Sequence, residues 1–140
     1  MTTSRITVLE FEALVKEGFP TAPAGAIEML ALQYGEVVLR STTNEGNLRP
    51  GGTVSGPALF AIADLAMYAL VLSVVGNVPL AVTTDATVHF LRKPSPGALI
   101  ARARLLKGGK RLVVGDVVLA SEGEDGGPVV HAVMTYAVPG

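Results

Sequence analysis

One long apolar run constrains the fold more than any other feature: residues 57–75, with the sequence PALFAIADLAMYALVLSVV. A run of this length is close to what a helix needs to cross a bilayer. Near its middle, however, it carries Asp64, and a carboxylate at that depth in lipid is costly. A helix that is apolar on all sides is otherwise buried inside a protein. We therefore predict a buried helix here and not a membrane span.

The composition indicates one domain that associates with copies of itself. The 140 residues match the size of an ordinary single domain, so we assign residues 1–140 to one unit. Hydrophobic residues make up 49% of the chain and charged residues only 16%. This is more apolar material than is usual for a monomer of this size, and surplus apolar surface usually forms a subunit interface. We expect a homo-oligomer.

Several classes of function are disfavoured by composition. A net charge of -1 argues against a nucleic-acid partner. The sequence has no cysteine, which excludes disulfides and thiolate catalysis and fits a reducing cytoplasm. No signal peptide is visible in the first residues. The two histidines, His89 and His131, have no pair of Asp or Glu residues near them at metal-ligand spacing, so we expect no metal site.

The remaining sequence predicts an antiparallel sheet. A short helix is expected at residues 7–16 and a loop at 18–25, followed by a hairpin whose first arm could also be helical. The predicted strands cover residues 26–34, 36–43, 81–92, 98–106, 111–121 and 129–138. An antiparallel sheet has one face that can bury a helix. We predict an α+β domain in which about six strands wrap around one long central helix, which is the topology of the hotdog fold.

The junction before the long helix is a candidate site. In the sequence Ser55-Gly56-Pro57, serine is a good N-cap and proline fits the first helical turn. A helix N-terminus presents unpaired backbone N–H groups with partial positive charge. Such groups polarise a carbonyl or hold a developing oxyanion. Glycine at position 56 lets a substrate approach the backbone closely.

Asp64 is the second candidate, because burying an unpaired carboxylate among apolar residues is costly and aspartate is a poor mid-helix former. An aspartate held by hydrogen bonds to neighbouring backbone is the structural alternative; we favour a functional role. Gly56 and Asp64 are eight residues apart, or about 12 Å along a helix. One substrate carbonyl cannot contact both within a chain. Two such helices packed antiparallel across a dimer axis would place Asp64 of one chain opposite Gly56 of the other.

Two segments carry a resemblance to a known family. RPGGTVSGPALFAIADLAMY, residues 49–68, and AVTTDATVHFLRKPSPG, residues 81–97, resemble the PaaI-like (phenylacetate-pathway) thioesterases of the hotdog superfamily. That family's pattern is a His-Gly-Gly turn, an apolar helix carrying Ala-Asp, and a strand ending in Phe-Leu-Arg-Pro. The resemblance places Asp64 at the catalytic carboxylate and Gly56 at the glycine whose N–H polarises the thioester carbonyl.

The sequence departs from the family at the turn itself. Ser55 stands where the family has histidine, and Pro57 replaces the second glycine. The family's loop asparagine has its nearest counterpart in Asn47, about two residues out of register. Lys93 is inserted before the final proline of the strand motif. Ser55 either adds a hydrogen bond to the substrate or acts only as a helix cap, and both interpretations stay open.

The resemblance implies hydrolysis of an acyl-CoA thioester to the free acid and coenzyme A. Asp64, from the neighbouring chain, would act as general base on water or as nucleophile. No cofactor is implied beyond the coenzyme A of the substrate, and the family is usually a homodimer or a dimer-of-dimers homotetramer. Two alternatives remain: a non-catalytic protein that binds acyl-CoA, and a hydratase or dehydratase, which would need a histidine near the helix.

Further residues are candidates for substrate binding. Arg92 and Lys93 could bind coenzyme A phosphates, although solvated charge at a turn is the commoner role of such residues. A hydroxyl of Thr83 or Thr84 could orient Asp64 or a water molecule, although threonine is common in strands. Tyr68, one turn after Asp64, could hydrogen-bond in the pocket or serve as a core aromatic.

Overall fold

The computed structural model describes residues 3–18, 26–44, 47–94, 97–124 and 126–140. Two helices and six strands follow one another: α1 (Val8–Gly18), β1 (Ala26–Gln33), β2 (Glu36–Thr42), α2 (Gly56–Val75), β3 (Val82–Phe90), β4 (Ala98–Gly108), β5 (Leu112–Ser121) and β6 (Val130–Ala137). The first arm of the predicted hairpin is a strand, which settles the choice left open by its sequence. Most of the predicted loop at 18–25 lies outside the described residues.

The six strands form one antiparallel sheet in the order β1-β2-β4-β5-β6-β3. The prediction of an α+β hotdog fold, with about six strands around one long helix, is confirmed. Strands β1 and β3 lie at the two edges of the sheet. Because β3 follows α2 in the chain but joins the sheet beside β6, the helix crosses the whole sheet before the chain returns to it.

Helix α2 is the centre of the core. Its side chains are buried along nearly the whole length, and it packs against the inward-facing residues of the sheet. Alternation along β6 shows how the strands contribute: Val130, Ala132, Met134 and Tyr136 are buried, and the residues between them are partly exposed. Gly115 on β5 allows the closest approach, because a Cβ there would lie 2.5 Å from Leu70 Cδ2.

By length and composition α2 resembles a membrane-spanning helix, with a mean hydropathy of 2.2 over its most apolar window. That window is 78% buried inside the protein itself. The sheet therefore supplies the apolar environment that the sequence of α2 requires.

The far end of α2 is held by hydrogen bonds. Ser73 is fully buried; its hydroxyl donates to the carbonyl of Leu70 at 2.6 Å and accepts from the N–H of Gly35 at 3.1 Å. The N–H of Arg5 donates to the carbonyl of Ser73 at 2.8 Å. Helix α1 adds Phe11, whose ring centroid lies 6.3 Å from that of Tyr68. These contacts fix α2 relative to the sheet.

The outer face of the sheet carries a charged cluster. Arg104 Nε donates to Asp116 Oδ1 at 2.9 Å, and His131 Nε2 lies 3.2 Å from Asp116 Oδ2. Burial alone would raise the pKa of Asp116, but the hydrogen bonds from Arg104 and His131 outweigh it and leave that pKa below its usual value. This cluster lies on the side of the sheet that faces away from α2. It is therefore separate from the site around Asp64.

Candidate active site

Asp64 lies on α2 and is held through one carboxylate oxygen. The hydroxyl of Thr83 donates to Asp64 Oδ1 at 2.7 Å, and the phenol of Tyr136 lies 2.8 Å from the same oxygen. Tyr136 Oη also lies 3.2 Å from the backbone carbonyl oxygen of Asp64. Within the part of the chain that the structure describes, no hydrogen bond is made to Asp64 Oδ2. The carboxylate therefore has one engaged oxygen and one that remains for another molecule.

The register of the sheet explains why these two donors meet Asp64. Thr83 on β3 and Tyr136 on β6 are direct cross-strand partners, so their side chains leave the same face of the sheet, towards α2. The next residue is displaced by a bulge, because the pairing steps from Thr83 to Asp85 on β3. Thr84 sits in this bulge, is exposed, and donates its hydroxyl to the carbonyl of Thr135 at 3.3 Å. Thr83 therefore makes the contact with Asp64, and Thr84 instead makes a hydrogen bond to the neighbouring strand β6.

Tyr136, which contacts the engaged oxygen, packs against a second tyrosine, Tyr68. Tyr136 is 3% exposed, and burial, followed by the negative charge of Asp64, raises its pKa far above the usual range. Its phenol therefore stays protonated as a donor to Asp64. Tyr68 packs its ring 6.2 Å from that of Tyr136 and donates its hydroxyl to the carbonyl of Pro79 at 3.0 Å. Burial raises the pKa of Tyr68 as well.

The start of α2 has the geometry expected of a capped helix. Ser55 is the N-cap, with φ -69° and ψ 153°, and its hydroxyl oxygen accepts from the N–H of Ala58 at 3.2 Å. Pro57 lies in the first turn, as predicted. The N–H of Gly56 has no acceptor among the described residues, and the Phe90 ring would lie 4.0 Å from a Cβ on Gly56. An N–H donor that meets no acceptor among the described residues therefore lies beside an aromatic ring.

Asn47 supports this helix start from the loop before it. Its side chain is buried, and Oδ1 accepts from the N–H of Asn44 at 2.7 Å. Its backbone carbonyl accepts from the N–H of Ser55, also at 2.7 Å. Asn47 therefore ties the loop to the N-cap.

The charged residues after β3 lie near the same end of the molecule as Gly56. Arg92 and Lys93 follow Phe90 closely in the chain and are exposed. The N–H of Arg92 is 3.3 Å from the carbonyl of Val129, and its guanidinium lies beside Gly127. His89 pairs with His131, on the face of the sheet that points away from α2. Across the described residues, no three His, Asp or Glu side chains come together as a metal site.

The chain therefore presents two separate groups of candidate residues. One consists of Asp64, Thr83 and Tyr136; the other lies around the N–H of Gly56, about 12 Å further along α2. Sequence reasoning missed Tyr136. The signal available was its place in an alternating strand, which predicts that Tyr136 faces inward but not which residue it meets.

Comparison with known proteins identifies the family. The family model described as thioesterase superfamily matches residues 51–127. A candidate thioesterase from Silicibacter sp. TM1040 is 48% identical; the match covers 93% of this chain and 90% of that one, with a TM-score of 0.81. A mutant of the phenylacetic acid degradation protein PaaI from Thermus thermophilus is 26% identical, covering 86% and 99% of the two chains with a TM-score of 0.74.

A hypothetical thioesterase protein from Streptococcus pneumoniae TIGR4, solved with coenzyme A, shares the fold at 21% identity; the match covers 96% of this chain and 98% of that one, with a TM-score of 0.77. Among curated protein sequences no significant match is found. The matched segment contains Gly56, Asp64 and Thr83. Both the family model and the structural neighbours thus agree with the resemblance that the sequence carries, and the chain belongs to the thioesterase superfamily as a PaaI-like protein with a hotdog fold.

Proposed function

We propose that this protein hydrolyses an acyl-CoA thioester to a free acid and coenzyme A. The observation that carries the proposal is the carboxylate of Asp64, which is held on the central helix through Oδ1 while Oδ2 receives no hydrogen bond from the described residues. A carboxylate held in this way is suited to take a proton from water or to attack an acyl carbon. Family membership supplies the reaction class.

Gly56 is the partner of Asp64 in this mechanism. Its N–H lies at the N-terminus of α2, where the helix dipole and the unpaired donors favour negative charge. The thioester carbonyl would accept from this N–H, and the developing oxyanion would be stabilised there. Water activated by Asp64, or Asp64 itself, would add to the carbonyl carbon, and the coenzyme A thiolate would leave. Both roles of Asp64 remain open.

The two groups of residues come together if two chains share the site. Strand β3 runs back along α2: Thr83 contacts Asp64 at the start of the strand, and Phe90 lies beside Gly56 at its end. A second β3, paired antiparallel along this edge, would therefore bring its Phe90 and Gly56 towards Asp64 of the first chain. The edge also exposes apolar side chains, with Val82 55%, Phe90 54% and Leu91 52% exposed. We propose a homodimer with two such shared sites, with dimers pairing into a homotetramer.

The coenzyme A end of the substrate would meet the basic residues after β3. Arg92 and Lys93 are exposed near Gly56, and guanidinium and ammonium groups bind phosphate. Structures from Streptococcus pneumoniae with coenzyme A and from Streptococcus mutans with acetyl-CoA, each sharing this fold, support the choice of ligand. A cytoplasmic location stays a prediction from the sequence.

One observation favours a second candidate, a protein that binds acyl-CoA without hydrolysing it. Ser55 occupies the position at which the family has histidine, and its hydroxyl oxygen serves as the cap of α2. The histidine that the family has near the thioester is therefore absent here, and the serine in its place caps the helix. The hydratase alternative has no such support, because His89 points away from α2 and from Asp64.

An assay of Asp64→Asn separates these functions. Thiol release is measured from short-chain, long-chain and aryl acyl-CoAs with the wild type, Asp64→Asn and the control Asp85→Asn. We expect Asp64→Asn to lose about 100-fold or more in kcat, the usual contribution of a positioned base. Asp85 is an exposed aspartate that pairs with Thr135 on the outer face, so its variant should retain wild-type rates.

Two outcomes would contradict the proposal. Hydrolysis by Asp64→Asn at the wild-type rate would remove Asp64 from the mechanism. Binding of coenzyme A esters by the wild type, measured by calorimetry, without any thiol release would instead support the non-catalytic binding protein.

A further inference from the structure

The phenol of Tyr136 has no role in the family pattern, yet among the described residues it makes one of the two side-chain hydrogen bonds to the Asp64 carboxylate. Tyr136 Oη lies 2.8 Å from Asp64 Oδ1 and Thr83 Oγ1 lies 2.7 Å from the same atom. Both donors therefore converge on a single oxygen. A carboxylate that accepts twice through one oxygen cannot rotate about its terminal bond without losing both hydrogen bonds.

Tyr136 is the more rigid of the two donors. Its side chain is 3% exposed, whereas Thr83 lies on the edge strand and is half-buried. The Tyr136 ring packs against that of Tyr68, with centroids 6.2 Å apart, and the Tyr68 hydroxyl is fixed on the carbonyl of Pro79. Strand β6 itself pairs on both sides, with β5 and with β3. The position of the Tyr136 hydroxyl is thus set by the core of the fold.

We propose that Tyr136 is a positioning residue of the thioesterase site: its phenol holds Asp64 Oδ1, so that Oδ2 is presented to the substrate or to the attacking water. This inference rests on the proposed function. Tyr136 exchanges no proton with the substrate in this role, because burial and the nearby carboxylate raise its pKa and keep it protonated. It acts only through the orientation of Asp64.

The first test compares Tyr136→Phe with the control Tyr34→Phe. The control also loses a phenol hydroxyl, but in the turn between β1 and β2. Rates are measured with the acyl-CoA that the wild type hydrolyses fastest. We expect kcat of Tyr136→Phe to fall about tenfold or more while KM stays within about twofold, because a misoriented carboxylate impairs the chemical step and leaves substrate binding intact. Tyr34→Phe should match the wild type. A kcat of Tyr136→Phe within about twofold of wild type, or a raised KM with unchanged kcat, overturns the proposal.

A second test needs no hydrolysis. The phenol of Tyr136 lies 2.8 Å from Asp64 Oδ1, so replacing the carboxylate by a neutral amide should weaken this hydrogen bond. Protein labelled with ¹³C at tyrosine Cζ gives one resonance for each of its three tyrosines, and the resonances are assigned by Tyr→Phe substitution at each position. At neutral pH we expect the Tyr136 resonance to shift in Asp64→Asn and the Tyr34 resonance to stay in place.

The two tests fail separately. An identical Tyr136 resonance in the wild type and Asp64→Asn would show that the phenol does not contact the Asp64 carboxylate in solution, which overturns the proposal whatever the enzymatic rates are. A wild type that hydrolyses no acyl-CoA, while the resonance difference persists, would overturn the proposed function and leave the contact between Tyr136 and Asp64 standing.

Discussion

At the scale of single residues, the sequence predicts the candidate site residues whose type is unusual for their position. Asp64 is identifiable because it is the one charge in an apolar helix, and Gly56 because it lies between an N-cap serine and a proline. Thr83 and Tyr136 are ordinary residues for strands, and nothing local distinguishes them. Their role comes from a long-range fact, the pairing of β3 with β6 in a register that sets them opposite each other above Asp64.

Thr83→Val tests how much the Thr83 hydroxyl, the second donor to Asp64 beside Tyr136, contributes to catalysis. Valine keeps the shape and the β-branch but removes the hydroxyl that lies 2.7 Å from Oδ1. We expect kcat to fall about 10- to 100-fold, since a hydrogen bond to a charged group contributes about 1.5–3 kcal/mol. Thr87→Val on the same strand is the matched control, because Thr87 pairs with Val133 on the outer face and lies away from Asp64. Equal rates for both variants would show that the Thr83 hydroxyl is dispensable.

At the scale of the elements, hydrophobic patterning predicts both helices and five of the six strands, and it leaves β1 open between strand and helix. The order of the strands is less accessible. Neighbours in the chain such as β1 and β2 pair as a hairpin, but β3 joins the sheet at its far edge, beside β6. The bulge at Thr84 is also invisible in the sequence, and it is this bulge that turns Thr84 away from Asp64 while Thr83 faces it. Both the strand order and the bulge depend on pairing between segments that are far apart in the sequence.

Gly115→Ala tests how closely α2 packs on the sheet. A Cβ at this position would lie 2.5 Å from Leu70 Cδ2, 2.8 Å from the carbonyl oxygen of Arg104 and 3.0 Å from Met67 Sδ. We expect the free energy of unfolding to fall by about 1–3 kcal/mol, the usual cost of overpacking a core. Urea denaturation measures it. The control is Gly126→Ala, where a Cβ meets nothing within 4 Å and the change should stay within about 0.5 kcal/mol. Similar stabilities for the two variants would contradict the close contact.

At the scale of the whole molecule, the two groups of candidate residues lie apart in one chain, and the proposed dimer would bring them together. The composition predicts an interface through its excess of apolar residues, and the structure indicates where such an interface would lie: along β3, whose outer edge is unpaired among the described residues. On this view the spacing of Gly56 and Asp64 on α2 is a consequence of symmetry. Each residue lies near one end of β3, and in the proposed dimer a two-fold axis near the middle of the strand would exchange those ends.

Mixing two inactive variants tests whether the site is shared. Gly56→Pro deletes the N–H, and two features of the backbone allow proline there: Ser55 before it has ψ 153°, and φ of Gly56 lies outside the left-handed region. Asp64→Asn removes the carboxylate. In a heterodimer of the two, one shared site carries both lesions and the other carries none. Co-refolding equal amounts should therefore restore about a quarter of wild-type thioesterase activity.

The matched control places both lesions in one chain. When the double variant Gly56→Pro/Asp64→Asn is co-refolded with an equal amount of wild type, every site of the heterodimer carries one lesion, and activity should fall to about a quarter of that of an all-wild-type sample. If each chain instead held a complete site of its own, this mixture would retain about half of the activity, and the two single variants would restore none. The pair of mixtures thus distinguishes a shared site from a self-contained one without depending on the absolute rate.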